Sequence, residues 1–291
     1  MNILVFGGNG MAGHMLVQYF RQQEEHRVYY TTRDPGDPDG LLLDASDFGM
    51  VESIIQTVRP SVIINAVGVL NQFAEKDKVR AYEINGILPN RLRKAADLVG
   101  AKLVHISSDC VFSGTRGGYK ERDRPNGTSV YAVTKALGEV VEGGHLTIRT
   151  SIIGPEIREG GIGLFQWFMQ QKGEVTGYRQ VMWNGVTTLE LAKAIDAFMK
   201  QGLSGLVHLA CPQPVSKHDL LQLMQQIWDK KDVTIIPVDV PVQDRTLRST
   251  RRDMKYVVPD YREMLEELHS WIRNSQKSQS SSLQVLPDLL A

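Results

Sequence analysis

The sequence predicts an α/β fold in which a doubly wound parallel sheet is followed by a smaller C-terminal lobe. Short β-branched apolar runs alternate with helix-length amphipathic segments through the first half of the chain, and this alternation stops after about residue 150. Alternating strands and helices form right-handed βαβ units, which place helices on both faces of a parallel sheet. Ligands of such sheets bind at the carboxyl ends of the strands.

The elements of the first half follow one another in a regular order. The predicted strands are Ile3–Phe6, Val28–Tyr30, Leu41–Leu43, Val62–Ile64, Leu103–Ile106 and Leu146–Arg149. The predicted helices are Met11–Gln22, Phe48–Val58, Val79–Val99 and Ala132–Val141. The strand runs are short and rich in Val, Ile and Leu, whereas the helical segments repeat their apolar residues at helical spacing.

The second half differs in composition. Residues 151–183 are rich in glycine, aromatic residues and methionine, which suits a ligand-binding lobe better than another βαβ unit. The predicted elements beyond them are the helices Leu189–Lys200, Lys217–Lys230 and Tyr261–Arg273 and the strands Leu206–Ala210 and Val233–Pro237. We expect a sheet domain at 1–150, completed by parts of 186–215. A smaller lobe at 151–275 and a flexible tail at 276–291 follow it.

Composition excludes several classes of partner. Lys and Arg together number 33, as do Asp and Glu, so the net charge is zero and no basic excess favours nucleic acid or an anionic membrane surface. No apolar run has the length of a membrane span, and no signal sequence precedes the first strand, so we expect a cytoplasmic protein. Cys110 and Cys211 are too few for a disulfide framework or a metal cluster, and we expect two reduced thiols and no metal.

The clearest motif is a glycine-rich turn directly after the first strand. It reads Gly7-x-x-Gly10-x-x-Gly13 and leads straight into a helix. Glycines in such turns allow a tight bend and close approach of the backbone to a pyrophosphate, and the helix N-terminus offers free N–H groups. The turn predicts a dinucleotide site of the Rossmann type. The residues expected to form it are Gly7, Asn9, Gly10, Met11 and Gly13.

The end of the second strand bears on which dinucleotide is bound. Twenty residues after Gly13 the chain reads Thr31-Thr32-Arg33-Asp34. A carboxylate at this point bonds the ribose 2′-OH of NAD, whereas a cation binds the 2′-phosphate of NADP. Arg33 therefore favours NADP(H). A one-residue shift of the strand end would place Asp34 there instead, which leaves NAD(H) open.

Two further segments are expected at the same site. Asp44 ends the third strand-like run and is placed to bond the adenine amino group. Asn65-Ala66-Val67 follows the fourth strand, where small residues let a cofactor ribose come close. A turn that merely ends a strand explains either segment equally well.

A serine, a tyrosine and a lysine form the predicted catalytic group. Ser107 and Ser108 follow the fifth strand, and Tyr131 and Lys135 lie one turn apart on one face of a predicted helix. A phenol with an ordinary pKa of about 10 is a poor acid or base at neutral pH, and an adjacent ammonium is expected to lower that pKa. Ser108 is placed to bond the substrate oxygen beside Tyr131.

In the order of these motifs the sequence resembles the extended short-chain dehydrogenases/reductases, and among them the dTDP-4-dehydrorhamnose reductase family. The resemblance covers about the first half of the chain and is looser beyond it. The matching motifs are the glycine turn, Ile106-Ser107-Ser108-Asp109 with Val111-Phe112-x-Gly114, Tyr119-x-Glu121-x-Asp123, and Tyr131-x-x-Thr134-Lys135-x-x-Gly138-Glu139. The resemblance implies that 1–150 is an NADP(H)-binding domain and that 151–275 mainly binds substrate.

The resemblance also implies roles for particular residues. Ser108, Tyr131 and Lys135 correspond to a catalytic triad, Asn85 to an asparagine that orders a proton-relay water, and Ser107 to a residue beside the cofactor. The implied reaction is the NADPH-dependent reduction of the C4 ketone of a nucleotide-linked 4-keto-6-deoxy sugar, with Tyr131 protonating the developing alkoxide. The nucleotide, dTDP, UDP or GDP, stays open, as does the choice between monomer and homodimer.

The chain departs from the family pattern near the nicotinamide and the sugar. Cys110 stands where a tyrosine is common, and Ala132 where glycine is usual. A dehydratase of the same superfamily would need an Asp-Glu pair where this chain has Asp109-Cys110, which disfavours dehydration. Two alternatives stay open: a sugar-nucleotide 4-epimerase, and a non-catalytic cofactor-binding regulator that resembles the β subunit of methionine adenosyltransferase.

Candidate substrate contacts come from both halves of the chain. An arginine near Arg245 contacts the nucleotide diphosphate in the family, and guanidinium suits that role because it bonds phosphate oxygens in pairs. Trp183 and Asn184 follow a predicted strand of the lobe. The residues predicted to contact substrate are Ser108, Asp109, Cys110, Trp183, Asn184 and Arg245.

Overall fold

The computed structural model describes residues 1–157 and 161–284. In its first half the strands are β1 (Asn2–Phe6), β2 (Arg27–Thr32), β3 (Leu41–Leu42), β4 (Val62–Asn65), β5 (Lys102–Ile106) and β6 (Leu146–Arg149). The helices are α1 (Met11–Arg21), α2 (Phe48–Val58), α3 (Asn71–Lys76), α4 (Lys78–Ala81), α5 (Leu88–Val99) and α6 (Val130–Leu137). Every strand predicted for this half is present.

The second half contains shorter strands. They are β7 (Ile152–Ile153), β8 (Gly173–Tyr178), β9 (Val181–Trp183), β10 (Val186–Thr187), β11 (Gly205–His208), β12 (Val215–Ser216), β13 (Val233–Val238) and β14 (Gln243–Asp244). The helices are α7 (Leu164–Gln170), α8 (Thr188–Lys200), α9 (Lys217–Ile227) and α10 (Tyr261–Gln284). Sequence patterns identified α8 and α9 but not pairs such as β7 and β10, because two residues are too few to show a periodicity.

The main sheet confirms the predicted fold class. Its seven strands run parallel in the order β11-β6-β5-β4-β1-β2-β3. Strand β11 comes from the 186–215 segment and pairs with β6. The order reverses between β1 and β4, so the chain leaves these two strands in opposite directions and opens a crevice at their carboxyl ends. The division into 1–150, 151–275 and 276–291 stays a prediction.

Two hydrophobic clusters cover the faces of the sheet. Ile3 and Val5 pack with residues of α1 and α8, whereas Leu4 and Phe6 pack with residues of α2 and α5. All four side chains are fully buried. Successive strand residues point to opposite faces, so a strand covered on both sides is apolar throughout. This burial explains why the first strand reads as an unbroken apolar run.

The smaller lobe has a cluster of its own. Phe168, Trp183 and Leu220 meet there with Leu265 of α10. Two small sheets support it, β8 paired with β13 and β9 between β12 and β14. Phe168 is fully buried in this cluster, whereas Trp167 remains 37% exposed. The lobe residues therefore pack around a hydrophobic cluster of their own.

The predicted helix Val79–Val99 is helical throughout, but its hydrogen-bond pattern changes in the middle. A π-helical turn, Tyr82–Ile87, separates α4 from α5. Pro89 has no N–H to donate to the carbonyl of Asn85 four residues earlier, so the regular hydrogen-bond ladder is broken at this point. The wider turn also brings the Asn85 side chain into contact with Val69 and Thr134. Pro89, inside an otherwise helical pattern, was the sequence signal that could have predicted this change.

The last helix begins at Tyr261 as predicted but continues past Arg273 to Gln284. Met264, Leu265 and Leu268 are buried against the body of the protein. Once these residues hold the first turns, further residues join a helix at little cost. Residues 285–291 of the predicted tail lie outside the described residues, and its flexibility stays a prediction.

Three general features bear on function. Over residues 1–157 and 161–284, no helix combines the length and the apolar character that crossing a bilayer requires. The same residues contain no group of three His, Cys, Asp or Glu side chains arranged to hold a metal ion. Cys110 and Cys211 are free thiols.

A buried ion pair joins the end of α6 to the sheet. The Glu139 carboxylate accepts two 2.7 Å hydrogen bonds from Nε and Nη2 of Arg149, at the end of β6. The two side chains are only 8% and 3% exposed. Glu139 also accepts a 2.8 Å hydrogen bond from the hydroxyl of Ser107, at the end of β5. One carboxylate thus connects the end of α6 to two strands.

Replacing this carboxylate tests its importance for stability. Glu139→Ala leaves the Arg149 guanidinium buried without its partner, and such losses cost about 3–5 kcal/mol of unfolding free energy. Urea denaturation measures the change. As a control, Asp239→Ala removes an exposed pair with Arg179 and is expected to leave the midpoint unchanged. A Glu139→Ala protein as stable as the wild type would show that the pair does not hold α6 in place.

Candidate active site

The glycine turn between β1 and α1 forms a cradle for a phosphate group. Gly7 has φ +84°, a conformation that residues with a Cβ rarely adopt. A Cβ on Gly13 would lie 2.0 Å from the carbonyl oxygen of Gly7, so a larger residue would push α1 away from the turn. Gly10 is the N-cap of α1 and leaves the helix N-terminus uncovered by a side chain. This geometry fits a dinucleotide diphosphate.

A cavity of about 750 Å³ opens beside the turn, at the carboxyl ends of β1, β2 and β4. Its volume falls in the range of small-molecule sites. The predicted cofactor residues that line it are Gly7, Gly10, Arg33, Asp44, Ala66 and Val67. Asn9 and Met11 flank the turn without lining this cavity. Asn9 donates to Thr32 at 3.0 Å and to Asp37 at 2.9 Å, which ties the turn to the loop after β2.

At the end of β2, the structure shows which of Arg33 and Asp34 faces the cavity. Arg33 lines the cavity. Asp34 does not line it, because its carboxylate accepts a 2.9 Å hydrogen bond from the N–H of Gly36 within its own loop. The cation, not the carboxylate, therefore faces the cavity, and its recognition of a ribose 2′-substituent stays a prediction.

Asp44 is held in place by a cation of the same cavity. Arg80 donates to both of its carboxylate oxygens, at 2.9 and 3.0 Å. Burial alone would raise the pKa of Asp44, but hydrogen bonds from Ser46 and Arg80 hold it at about 2. The carboxylate is therefore ionised at the cavity wall, and its contact with an adenine amino group stays a prediction.

The residues that follow β4 have two different roles. Ala66 and Val67 line the cavity, as expected of small residues beside a ribose. Asn65 is fully buried instead, and its amide contacts Nδ1 of His105 at 3.1 Å and accepts a 3.1 Å bond from the N–H of Val67. Asn65 therefore shapes the turn that ends the strand, which was the alternative explanation for it.

Ser108, Tyr131 and Lys135 come together beyond the end of β5. All three side chains are buried. The hydroxyl of Ser108 donates to Asp109 at 3.1 Å and accepts a 3.0 Å hydrogen bond from the N–H of Cys110, and it lies near enough to the Tyr131 phenol to lower the pKa of that phenol. The ammonium of Lys135 donates a 2.7 Å hydrogen bond to the carbonyl of Ile106, the last residue of β5. Strand β5 and helix α6 thus position the three predicted residues at one point.

The protonation of Tyr131 differs from the expectation. Burial, followed by the Cys110 thiol, raises its pKa, and the hydrogen bond with Ser108 opposes this only in part. The predicted lowering by Lys135 is therefore wrong for this structure, because the ammonium is directed to Ile106. Burial lowers the pKa of Lys135 itself to about 8, with Glu139 acting in the opposite direction. At neutral pH Tyr131 is a neutral phenol, which is the form that donates a proton.

Two other predicted site residues, Ser107 and Asn85, use their side-chain hydrogen bonds within the protein. Ser107 donates its hydroxyl to Glu139, as described above, and is buried away from the cavity. Asn85 donates to Val69 at 2.9 Å and to Thr134 at 3.1 Å, and its oxygen accepts a 2.8 Å bond from the N–H of Val69. Both N–H groups of its amide are used, so the Asn85 side chain fastens the loop after β4 to α6 instead of presenting a donor to a relay water.

Arg245 approaches the Asp109-Cys110 turn that follows Ser108. Arg245 donates to the carbonyl of Phe112 at 3.0 Å and contacts the sulfur of Cys110 at 3.7 Å. Burial raises the pKa of Asp109, with Arg245 and Lys217 opposing this, and burial together with Asp109 raises the pKa of Cys110 to about 12. Cys110 is therefore a neutral thiol, and the predicted cation of the lobe does reach the catalytic turn.

The two predicted residues of β9 and its following turn have structural partners. Asn184 donates to the carbonyls of Cys211 and Leu247 and accepts from the N–H of Leu247, so its amide is saturated and buried. Trp183 is 4% exposed and donates its indole N–H to Ser151 at 2.8 Å. Asn184 therefore anchors the segment that carries Arg245, which explains its presence without a substrate contact.

Lys217 is a candidate that the sequence patterns missed. It begins α9, and its ammonium lies 4.9 Å from the centroid of the Trp183 ring. Burial lowers its pKa to about 8, while Asp109 and Cys110 raise it. A lysine in the first turn opposes the helix dipole, and this unfavourable position was the only signal available in the sequence.

The fold and the site define a Rossmann-type protein of the extended short-chain dehydrogenase/reductase class. The family model described as the RmlD substrate binding domain matches residues 1–258, and the chain belongs to that family. One curated relative is methionine adenosyltransferase 2 subunit beta of Bos taurus, 32% identical over 141 residues that make up 47% of this chain and 41% of that protein.

Other relatives are named as reductases. The dTDP-4-dehydrorhamnose reductase of Burkholderia thailandensis is 32% identical over 160 residues, 52% of this chain and 50% of that protein. The chain therefore matches about half, or less, of the length of these curated relatives. A solved dTDP-4-dehydrorhamnose reductase of Bacillus anthracis, in complex with NADP, has the same fold. Its TM-score is 0.81 at 24% identity, over 92% of this chain and 98% of that one.

The lowered pKa of Lys135 makes a testable contribution to stability. Between its folded value of about 8 and its ordinary value of 10.5, unfolded Lys135 binds a proton that folded Lys135 has released, so stability rises with pH in this window. From pH 7.5 to 9.5 we expect the wild type to gain about 1–2 kcal/mol relative to Lys135→Met, measured by urea denaturation. A constant difference between the two proteins would mean that the ammonium is not desolvated.

Proposed function

We propose that this protein reduces the C4 ketone of a nucleotide-linked 4-keto-6-deoxy sugar with NADPH. The observation that carries the proposal is the meeting of Ser108, Tyr131 and Lys135 at the end of β5, in a fold whose glycine turn suits a dinucleotide. Reductase relatives with this activity in their names support the substrate class and make the dTDP-linked sugar our first choice. We place the reaction in the cytoplasm and leave monomer or homodimer open.

We assign the donated proton to Tyr131. Because burial raises its pKa, the phenol keeps its proton until the ketone oxygen gains negative charge, and it then donates to that oxygen. Ser108 bonds the same oxygen, since its hydroxyl already faces the phenol, and both donors stabilise the developing alkoxide. The bound nicotinamide cofactor supplies the hydride.

We assign to Lys135 the return of a proton to the Tyr131 phenolate after each turnover, after which the neutral amine takes a proton from water. Its ammonium lies one helical turn from Tyr131, and a pKa of about 8 keeps most of it protonated at neutral pH while making its proton easier to release than that of an ordinary lysine. The hydrogen bond to Ile106 orients the ammonium. Asn85 contributes by fixing Thr134, the neighbour of Lys135, and acts as a positioning residue.

The cofactor preference is assigned to Arg33. Its guanidinium lines the cavity while Asp34 is turned into its own loop. A solved structure of the same fold contains NADP, which agrees with this preference. A guanidinium suits a phosphate because it offers several donors in one plane.

The first test removes the phenolic proton. Tyr131→Phe is expected to lower kcat for NADPH oxidation with dTDP-4-keto-6-deoxyglucose by at least about 100-fold, since general acids contribute about 10²–10⁴-fold. NADPH binding, followed by fluorescence, should change less than about threefold because the ring is retained. Weak NADPH binding by Tyr131→Phe would contradict the assigned role, because the residue would then be serving the cofactor site.

The second test reverses a charge at the cavity. Arg33→Glu is expected to raise the KM for NADPH by about 10-fold or more, since a phosphate loses a charged partner, and to raise the KM for NADH much less. Asp34→Asn is the matched control, because its side chain bonds Gly36, and it should leave the NADPH/NADH ratio unchanged. Equal effects of Arg33→Glu on both cofactors would show that Arg33 does not contact the 2′-phosphate.

A regulatory role is the second candidate, and the relationship to methionine adenosyltransferase 2 subunit beta favours it. The wild-type protein would then bind NADPH without oxidising it in the presence of dTDP-, UDP- or GDP-linked 4-keto sugars. It would also behave like Tyr131→Phe in every assay. NADPH oxidation with any one of these sugars would show that the protein is a reductase and not only a regulator.

A further inference from the structure

His105 is a polar side chain in the middle of the main sheet that the proposed proton and hydride transfers do not use. It belongs to β5, and it pairs in register with Asn65 of β4 and Thr147 of β6. All three residues are fully buried. A buried polar group is costly unless its hydrogen bonds are made. The partners of the two ring nitrogens therefore show what this histidine is for.

The hydrogen bonds of Asn65 determine which ring nitrogen of His105 carries the proton. The Asn65 oxygen accepts a bond from the N–H of Val67, so its NH₂ group is the part of the amide that faces His105. That group donates to Nδ1 at 3.1 Å, which makes Nδ1 an acceptor. Burial, followed by the Lys135 ammonium, lowers the pKa of His105 well below its ordinary value, so the ring is neutral. A neutral ring that accepts at Nδ1 carries its proton at Nε2.

The Nε2–H group of His105 is a buried donor without an acceptor. Among the residues that the structure describes, this nitrogen has no hydrogen-bond partner. The direction of the side chain follows from the alternation of strand residues. Ser107, two residues later, points to the same face and reaches Glu139, which follows the end of α6. The ring of His105 therefore projects from the face of the sheet that α6 covers.

Lys135 extends from α6 to the same part of β5. Its ammonium donates a 2.7 Å hydrogen bond to the carbonyl of Ile106, the residue next to His105. This bond uses one of the three N–H groups of the ammonium. The ammonium cannot be the acceptor that Nε2–H lacks, because both groups are donors. A water oxygen can accept from both at once, and buried waters typically bond polar groups that the protein leaves unsatisfied.

We propose that His105 is a positioning residue for Lys135 and acts through an internal water that its Nε2–H holds beneath α6. This inference rests on the proposed function, because the orientation of Lys135 affects turnover only if the lysine serves the Tyr131 phenol. The water and the Ile106 carbonyl fix two N–H groups of the ammonium and leave the third free for the phenol. Asn65 contributes by fixing the tautomer of the ring.

Two substitutions separate the two ring nitrogens. His105→Asn keeps an acceptor near the position of Nδ1 and removes the donor at Nε2, whereas His105→Gln places an amide donor near the position of Nε2. We expect kcat for NADPH oxidation to fall about 10-fold or more in His105→Asn, because a misplaced catalytic group is costly. It should fall less than about threefold in His105→Gln. Both KM values should change less than about twofold, since His105 does not contact a substrate.

His145→Asn is the matched control. His145 is also buried, but both of its ring nitrogens have partners, the N–H of Leu103 and the carboxylate of Asp97. This variant is expected to keep the wild-type kcat even where urea denaturation shows a loss of stability. A loss of kcat in His145→Asn equal to that in His105→Asn would overturn the proposal, because any buried histidine would then have the same effect.

The order of the two His105 variants distinguishes positioning from a structural role. If the bond to Asn65 were the whole purpose of His105, His105→Asn would be the more active variant and His105→Gln the less active one. That order overturns the proposal, and so does a wild-type kcat in His105→Asn. Rescue by His105→Gln alone supports it, because only that variant restores a donor for the water.

A measurement on the wild type needs neither a folded variant nor turnover. In a crystal structure that shows ordered waters, we expect one water within hydrogen-bonding distance of both Nε2 of His105 and Nζ of Lys135. Nitrogen NMR spectra of the imidazole should show the Nε2–H tautomer. A different tautomer, or no water that bonds both nitrogens, overturns the proposal. The water in a protein that oxidises NADPH with no keto sugar supports the placement of Lys135 and removes the reductase instead.

Discussion

The buried ion pair of Glu139 and Arg149 holds together the strand ends on which the site is built. Arg149 extends this contact to Nε2 of His208 at 3.3 Å, and His208 contacts the carbonyl of Tyr119 at 3.0 Å. Glu121 continues the network through Ser249 and Thr250, next to the segment of Arg245. Helix α6 and the segment of Arg245 are therefore positioned by one polar network, in which the buried charges of Glu139 and Arg149 are paired.

Hydrogen bonds within the protein distinguish side chains that stabilise the fold from side chains that remain available to a ligand. Ser107, Asn65, Asn85 and Asn184 have the side chains expected of ligand contacts, yet their donors are bonded to the protein itself. Buried amides and hydroxyls are costly without partners, so a scaffold that buries them must satisfy them. Polar residues near a site are for this reason weak evidence of binding until their hydrogen bonds are known.

Burial also determines which chemical forms the site contains. It raises the pKa of Tyr131 and lowers that of Lys135, so α6 carries a neutral phenol and an ammonium of reduced proton affinity. A ketone reduction needs a proton donor of this kind. Spacing on a helix indicated that Tyr131 and Lys135 lie on one face, but the direction of each pKa shift depends on desolvation, which only packing creates.

The sequence by itself determined the parallel α/β sheet, the glycine turn and the identity of Ser108, Tyr131 and Lys135, because these depend on short-range periodicity and on residues close in the chain. Tertiary structure decided the rest. It turned Arg33 and not Asp34 to the cavity, and it brought Lys217 within electrostatic range of Asp109. These outcomes depend on contacts between residues about a hundred positions apart or on the register of a strand end, and no local pattern encodes either.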